Sequence, residues 1–163
     1  MDRYNLNSKW CLWFHSLHNS SWNKQSYKKL LIIENLYDLK MLNDILLTNH
    51  LQNGMFFLMR ENIFPTWEDP DNRNGSCISF KISGNTLYDE WCFMVNRIIT
   101  EDILINTDDF NEINGLSISP KKEFNILKIW FRNNYENKSI QKLIKSYPPY
   151  FIESKAKIRK HDI

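Results

Sequence analysis

The chain has no run of 18 apolar residues, and its first residues contain no apolar core of the kind found in a signal peptide. We therefore expect neither a membrane span nor a signal peptide. Valine and alanine are almost absent, with one residue of each, whereas asparagine, isoleucine and lysine are abundant. This skew is typical of an A/T-rich genome, as in some parasites and large viruses, and says nothing about chemistry.

Cysteine and metal-ligand patterns are also missing. The three cysteines, Cys11, Cys77 and Cys92, are odd in number and have no C-x-x-C spacing, which predicts reduced thiols in a cytosolic or nuclear protein. The histidines form no metal-ligand pattern, and we expect His15 and His18 to be a solvated pair at a strand end. The sequence therefore predicts no metal and no cofactor.

A strong net charge is the third absence. The formal charge is +2, too small to attract nucleic acid over the whole surface, so any anion site must be a local cluster. Of the 163 residues, 42% are apolar and 14% aromatic, which suits a folded chain with a sizeable core. We predict a single domain over residues 1–163, with a core over about 9–153 and a basic, mobile tail over 154–163.

Hydrophobic periodicity predicts hairpins that alternate with helices. The expected strands cover residues 9–15, 29–34, 55–60, 76–82, 115–119, 126–131 and 150–153, and the expected helices cover 35–47, 86–99 and 137–146. This order predicts an α+β fold with a curved antiparallel β-sheet, three helices packed on one face and a binding pocket on the other face.

The loop over residues 61–75 is the most informative stretch. It places Trp67 and Glu68 side by side between Pro65 and Pro70, whose rings fix φ on either side. A flat aromatic face beside a carboxylate, which only accepts hydrogen bonds, suits a planar, electron-poor ring with N–H donors on its edge. A guanine methylated on its imidazole ring fits this description.

The sequence resembles the eukaryotic translation initiation factor 4E family, which binds the 5′ cap of mRNA. The resemblance extends over roughly residues 9–152 and rests on the order and spacing of short motifs, each weak alone. These motifs are Trp10-x-Leu12-Trp13-Phe14, the loop Trp22, Pro65-x-Trp67-Glu68-Asp69 with Asn72 and Gly75, Trp91, Gly115, Ile129-Trp130 and Pro148-Pro149.

This resemblance implies roles for four side chains. Trp22 and Trp67 would sandwich the 7-methylguanine, and Trp130 would lie near the methyl group. Glu68 would accept hydrogen bonds from the ring N–H and the exocyclic amine, while the backbone N–H of Trp67 would donate to the guanine carbonyl oxygen. Discrimination against unmethylated guanine is expected to come from the positive charge on the ring.

The cap phosphates are a point of departure from the family. Lys121 matches a family position that binds them. However, Ile126 and Cys77 stand where the family usually has basic residues. We therefore expect phosphate recognition to be rewired, with Lys128 and Lys122 as further candidates.

The partner-binding face departs as well. Family members present a helical face to a scaffold or repressor that carries a Tyr-x-x-x-x-Leu motif. Here Leu36 keeps its apolar character, Lys40 replaces a tryptophan, and Cys92 and Phe93 replace an apolar and an acidic residue. We expect a standard scaffold peptide to bind poorly and a divergent scaffold of the initiation-factor 4G type to use this face.

Other interpretations remain open from the sequence. Trp10, Trp13 and Trp91 are predicted to be core residues, as most tryptophans are. The predicted function is a cytoplasmic, monomeric, non-enzymatic cap-binding factor for translation initiation. The alternatives are a cap-binding translational repressor, a protein-interaction module with a vestigial pocket, and a hydrolase using Glu68 and Asp69, for which no nucleophile and base set is evident.

Overall fold

The computed structural model describes residues 4–151 and 156–161, without the side chains of residues 107 and 109. Seven of the described segments are strands: β1 (Asn5–His15), β2 (Tyr27–Asn35), β3 (Met55–Arg60), β4 (Ser76–Ile82), β5 (Ile113–Pro120), β6 (Asn125–Phe131) and β7 (Ala156–Lys160). They form one curved, open sheet in the order β2-β1-β3-β5-β6-β4-β7, and every neighbouring pair is antiparallel. The predicted α+β class is confirmed.

Side chains alternate between two faces of this sheet because successive residues of a strand point in opposite directions. On β1, Trp10 and Leu12 are buried in the main core. Trp13 points the other way and packs with Phe57 and Trp130 in a smaller aromatic cluster. We call the side with this aromatic cluster the open face.

Three α-helices pack on the opposite face: α1 (Leu36–Ile45), α2 (Thr48–Gln52) and α3 (Leu87–Ile99). Helix α1 begins where the side chain of Asn35 accepts a hydrogen bond from the Asp38 N–H. The predicted helix over 35–47 ends earlier, and the chain restarts as α2. Helix α3 buries the apolar stripe that its sequence predicts. No helix among the described residues is long and apolar enough to cross a membrane.

The predicted third helix over residues 137–146 is wrong. Only Ile140–Lys142 forms a short 3₁₀ turn there. The next residues pair with another segment instead: the Ile105 N–H donates to the Leu143 carbonyl, and the Lys145 N–H donates to the Ile103 carbonyl. These bonds take backbone groups that a helix would use itself, so tertiary pairing overrides the helical pattern.

The secondary structure predicted for residues 150–163 is also wrong. Tyr150 and Phe151 lie outside any strand, and the rest of the predicted strand over 150–153 lies outside the described residues. The final strand is β7, within the segment predicted to be a mobile tail. It pairs with β4, and Ile158 packs against the main core. Residues 156–161 therefore belong to the sheet.

Strand β3 ends at a buried ion pair. The side chains of Arg60 and Glu101 are 9% and 6% exposed, and Arg60 Nη1 lies 3.3 Å from Glu101 Oε1. Arg60 also donates to the carbonyl oxygens of Ile113 and Phe110, both at 2.6 Å. Burial lowers the pKa of the Arg60 guanidinium, and the Glu101 carboxylate opposes that shift. This network anchors the strand immediately before the loop over residues 61–75.

Candidate functional site

The open face carries a cavity of about 490 Å³ beside the loop over residues 61–75. Six of the seven residues predicted to contact the ligand line it: Trp22, Trp67, Glu68, Lys121, Lys128 and Trp130. Lys122 lies outside, on the exposed tip of the β5–β6 hairpin. The sheet and two loops thus bring together side chains that are up to 108 positions apart in the chain.

Side-chain hydrogen bonds hold the loop that carries Trp67. The Asp69 carboxylate accepts from the backbone N–H groups of Phe64 and Asp71, at 3.0 and 2.9 Å. The fully buried Asn72 donates to the carbonyl oxygens of Phe64 and Thr66. These hydrogen bonds fix the conformation of the loop, in addition to the restriction of φ at its two prolines.

Glu68 is exposed at the cavity rim. Burial raises the pKa of the Tyr27 hydroxyl to about 12, and the negative charge of Glu68 adds to this shift. Tyr27 and Phe57 also line the cavity, and neither was predicted from the sequence as a site residue. Strand β3 is apolar and buried over almost its whole length, so no alternation in the sequence marked Phe57 as a cavity residue.

Trp130 and Lys128 come from β6 and point to the open face. Trp130 is buried, and its indole N–H donates to Ser117 Oγ at 2.9 Å across the β5–β6 pair. This bond fixes the ring at the cavity wall. Lys128 is half-buried, and its Nζ lies 5.7 Å from the ring centroid of Trp67. A cation therefore stands close to one of the two predicted stacking surfaces.

His15 is not a solvated residue, contrary to the prediction for His15 and His18. It is fully buried because the loop after β1 folds back over it. Its ring stacks on Trp22 with centroids 3.9 Å apart and planes 6° apart. Its two nitrogens lie 2.9 and 2.8 Å from the carbonyl oxygens of Ser16 and Ser21. A neutral imidazole can donate to only one of these oxygens, whereas an imidazolium donates to both. His18 is exposed, as predicted.

A second imidazole supports the other indole. His161 is buried, and its ring is nearly parallel to that of Trp67, with planes 10° apart and centroids 5.3 Å apart. The His161 Nδ1 lies 2.6 Å from the Asn72 carbonyl oxygen, so this nitrogen carries the proton and donates. Neither His15 nor His161 lines the cavity. We infer that each imidazole covers the face of its indole that points away from the cavity.

The burial of His161 predicts that the free energy of unfolding decreases in acid. Burial lowers the pKa of His161, the carbonyl of Asn72 opposes this shift, and the nearby positive charge of Lys128 adds to it. The unfolded chain has an ordinary histidine pKa of about 6.5, so below that pH it binds more protons than the folded chain. The stabilisation is complete above about pH 6.5 and is lost as pH falls through the folded pKa. His161→Gln should remove up to about 1.4 kcal/mol per pH unit from the acid slope of the unfolding free energy.

Urea denaturation from pH 7.5 down to 5 measures this slope. His18→Gln is the matched control, because His18 is exposed and its loss should leave the slope unchanged. An identical acid slope in wild type and His161→Gln would show that His161 does not control the effect.

The four predicted partner-binding residues lie on α1 and α3 and differ in their surroundings. Leu36 and Lys40 are exposed on α1, where Lys40 pairs with Asp44 at 2.5 Å. Cys92 is half-buried on α3. Phe93 instead packs against the segment over 147–151, with its ring centroid 5.0 Å from that of Tyr147. Phe93 is therefore half-buried against this segment.

The two positions that depart from the family pattern differ in their surroundings. Ile126 lines the cavity, whereas Cys77 is buried beside Trp130 on the neighbouring strand. Burial raises the pKa of the Cys77 thiol, so it remains neutral at physiological pH. All three cysteines are free, as predicted. Within the described ranges, no group of histidine, cysteine and carboxylate side chains could hold a metal ion.

The fold and the cavity together define the class: an α+β protein with helices on one face of an open antiparallel sheet and an aromatic, lysine-flanked cavity on the other face. The family model for eukaryotic initiation factor 4E matches residues 5–159. The chain therefore belongs to the eukaryotic initiation factor 4E family.

Individual relatives agree with this assignment. Eukaryotic translation initiation factor 4E of Candida albicans is 27% identical over 98% of this chain and 80% of its own length. The translation initiation factor 4E homolog of Acanthamoeba polyphaga mimivirus is 33% identical, and this match covers 43% of this chain and 26% of the viral protein.

Solved structures share the fold. Ascaris suum eIF4E-3 in complex with an m7G cap matches with a TM-score of 0.72 and 20% identity, over 83% of this chain and 77% of that chain. Schistosome eIF4E in complex with m7GpppA and 4E-BP matches with a TM-score of 0.75 and 16% identity, over 85% of this chain and 77% of that chain. At this level of identity the likeness establishes the architecture of the sheet and helices.

Proposed function

We propose that this protein binds the 7-methylguanosine cap of mRNA in the cavity on the open face and acts in translation initiation in the cytoplasm. The observation that carries the proposal is the convergence of Trp22, Trp67, Glu68 and Trp130 on one cavity. Family membership supports the same function, because relatives of this fold have been solved with cap ligands.

Stacking supplies the first part of the proposed recognition. The guanine ring enters between Trp22, which is 53% exposed, and Trp67, which is half-buried. Base stacking on an aromatic side chain contributes about 1–3 kcal/mol per base. Methylation makes the ring cationic, and a cation is attracted to the face of an indole by about 2 kcal/mol or more when both are desolvated.

Hydrogen bonding supplies the second part. Glu68 accepts from the ring N–H and the exocyclic amine of guanine, and adenine lacks this pair of donors on its edge. The backbone N–H of Trp67 donates to the guanine carbonyl oxygen, and Trp130 contacts the methyl group. Lys121 and Lys128 line the cavity and bind the cap phosphates. Lys122 lies at the hairpin tip outside the cavity and is a weaker candidate for phosphate binding.

The same geometry argues against hydrolysis. Both oxygens of Asp69 already accept hydrogen bonds from the backbone of its own loop. Asp69 therefore does not reach into the cavity with Glu68 as an acid–base pair, and we propose that the protein is not an enzyme. We further propose that it works as a monomer.

The proposed protein partner is a divergent scaffold of the initiation-factor 4G type. The exposed surface of α1 supports this, because Leu36, Tyr37, Met41 and Ile45 are all more than 40% exposed. Lys40 adds a charge to this apolar surface. A scaffold that binds here must therefore be complementary to an apolar stripe interrupted by an ion pair. We expect its binding motif to differ from the Tyr-x-x-x-x-Leu motif of the family's usual partners.

The decisive experiment is a tryptophan-fluorescence titration of the wild-type protein with 7-methyl-GTP and, in parallel, with GTP. We expect strong quenching by the methylated nucleotide alone. Glu68→Gln should weaken 7-methyl-GTP binding by on the order of tenfold or more, because one acceptor oxygen is replaced by a donor group. Glu123→Gln, on the exposed hairpin tip outside the cavity, is the charge-matched control and should bind as the wild type does.

Other outcomes point to the alternative functions. Equal, weak binding of both nucleotides would mean that the cavity does not sense the ring charge, and would favour a protein-interaction module. Turnover of a cap analogue that is lost in Glu68→Ala would favour a hydrolase.

A further inference from the structure

The open face carries a row of positive charges that begins at the cavity and continues beyond it. Three side chains form it: Lys128 on β6, and Lys157 and Arg159 on β7. We call these three residues the basic band. Lys128 lines the cavity, whereas Lys157 and Arg159 do not. The band therefore begins at the pocket and leads away from it.

The strand register places the three side chains on the same face. Ser79 on β4 pairs with Lys128 on one side and with Lys157 on the other. One pair along, Cys77 lies between Trp130 and Arg159. Directly paired residues of an antiparallel sheet point to the same face, so all of these positions share the face of Trp130. Neighbouring strands are about 4.8 Å apart, so Lys157 lies about 10 Å beyond Lys128.

The surroundings of the band are polar and accessible. Ser79, between the two lysines, is half-buried, and Lys157 and Arg159 are exposed. The positive charges of Lys128 and Arg159 both act on the Cys77 thiol, which places them near the same point of the sheet. Within residues 4–151 and 156–161, none of the three cations forms an ion pair with a carboxylate.

We propose that the basic band binds the phosphates of the RNA that leads away from the cap guanine. This proposal rests on the proposed function, because the pocket sets where the RNA begins. Trp22, Trp67 and Glu68 hold the guanine, Lys121 and Lys128 take the nearest phosphates, and Lys157 and Arg159 take phosphates farther along the chain. A row of separate cations recognises phosphate spacing and carries no base information.

A paired set of double variants tests the band. Lys157→Ala/Arg159→Ala removes two charges from it. Lys142→Ala/Lys160→Ala removes two exposed charges elsewhere, since Lys160 has the opposite alternation on β7 and Lys142 lies in a 3₁₀ turn outside the open-face cavity. Each protein is titrated by isothermal calorimetry with 7-methyl-GMP, 7-methyl-GTP and a capped RNA of about ten nucleotides, over salt concentrations from about 50 to 300 mM.

We expect the band variant to bind the capped RNA on the order of tenfold more weakly near 0.1 M salt, with a salt slope shallower by about 1.4, because each phosphate contact on a single strand contributes about 0.7. Binding of 7-methyl-GMP should not change. The control variant should match the wild type with all three ligands. A loss confined to the capped RNA assigns the band to the RNA chain, and a loss that includes 7-methyl-GTP assigns it to the phosphate bridge of the cap.

Two failures are distinguishable. If the wild type does not bind 7-methyl-GMP or 7-methyl-GTP, the proposed function fails. If the wild type binds them but the band variant keeps the wild-type affinity and salt slope for the capped RNA, only the role of the band is overturned. Single Lys157→Gln and Arg159→Gln variants keep polar side chains on β7 and provide the test if the double variant is unstable. Each should make the salt slope shallower by about 0.7, half of the change expected for the double variant.

Discussion

Trp67→Ala is expected to lower the affinity for 7-methyl-GTP by on the order of 100-fold. The substitution removes one of the two proposed stacking surfaces, and the combined loss of stacking and cation–π attraction is about 3 kcal/mol. The loop should stay in place, because Asp69 and Asn72 hold its backbone without the indole. Isothermal calorimetry is the suitable measurement, since removing a tryptophan also changes the fluorescence.

Tyr37→Ala is the matched control for this experiment. It removes another partly exposed aromatic ring, on α1 and outside the cavity. We expect its affinity for 7-methyl-GTP to equal that of the wild type. A loss of less than about threefold in a folded Trp67→Ala protein, which corresponds to under 1 kcal/mol, would exclude Trp67 as a stacking residue.

Arg60→Met should strongly destabilise the fold from a position outside the cavity. It leaves the carboxylate of Glu101 buried without its cation and deprives the carbonyls of Ile113 and Phe110 of their donor. Breaking a buried ion pair in this way costs about 3–5 kcal/mol, which is a large part of the about 5–15 kcal/mol that stabilises a typical domain. Urea denaturation followed by circular dichroism measures the loss.

Lys40→Met provides the comparison, because its partner Asp44 is in solvent and the two side chains are 75% and 59% exposed. An exposed pair contributes only about 0.2–1 kcal/mol. Adding Glu101→Gln to Arg60→Met should recover part of the stability by removing the uncompensated charge. Equal losses in Arg60→Met and Lys40→Met would contradict the assignment of the buried pair.

The fold class was predictable from local patterns, and most of the candidate site was predictable from the resemblance to a family. Alternation along β1 separates the buried Trp10 from the open-face Trp13, and the motif order places Trp22 and Trp67 in loops at the same side of the sheet. Burial of Trp10 and Trp91 agrees with their predicted core role. Alternation therefore separated the side chains of β1 that face the main core from those on the open face.

The remaining features depend on contacts between distant segments. Glu101 is 41 positions from Arg60, and nothing in the acidic connection around it predicts burial. Charged residues conceal the alternation of β7, so its pairing with β4 was not predicted. His15 was expected in solvent because the path of the following loop back over it has no local sequence signal.

The two imidazoles behind the indoles hold the walls of the cavity from outside. Guanine bound as proposed would complete a five-ring column, imidazole, indole, guanine, indole, imidazole, with His15 at one end and His161 at the other. His161 lies 2.6 Å from the carbonyl oxygen of Asn72, in the same loop as Trp67. His15 lies between the carbonyl oxygens of Ser16 and Ser21, beside Trp22. Each imidazole therefore links its indole to the backbone of the loop that carries that indole, so both walls of the cavity are supported from behind.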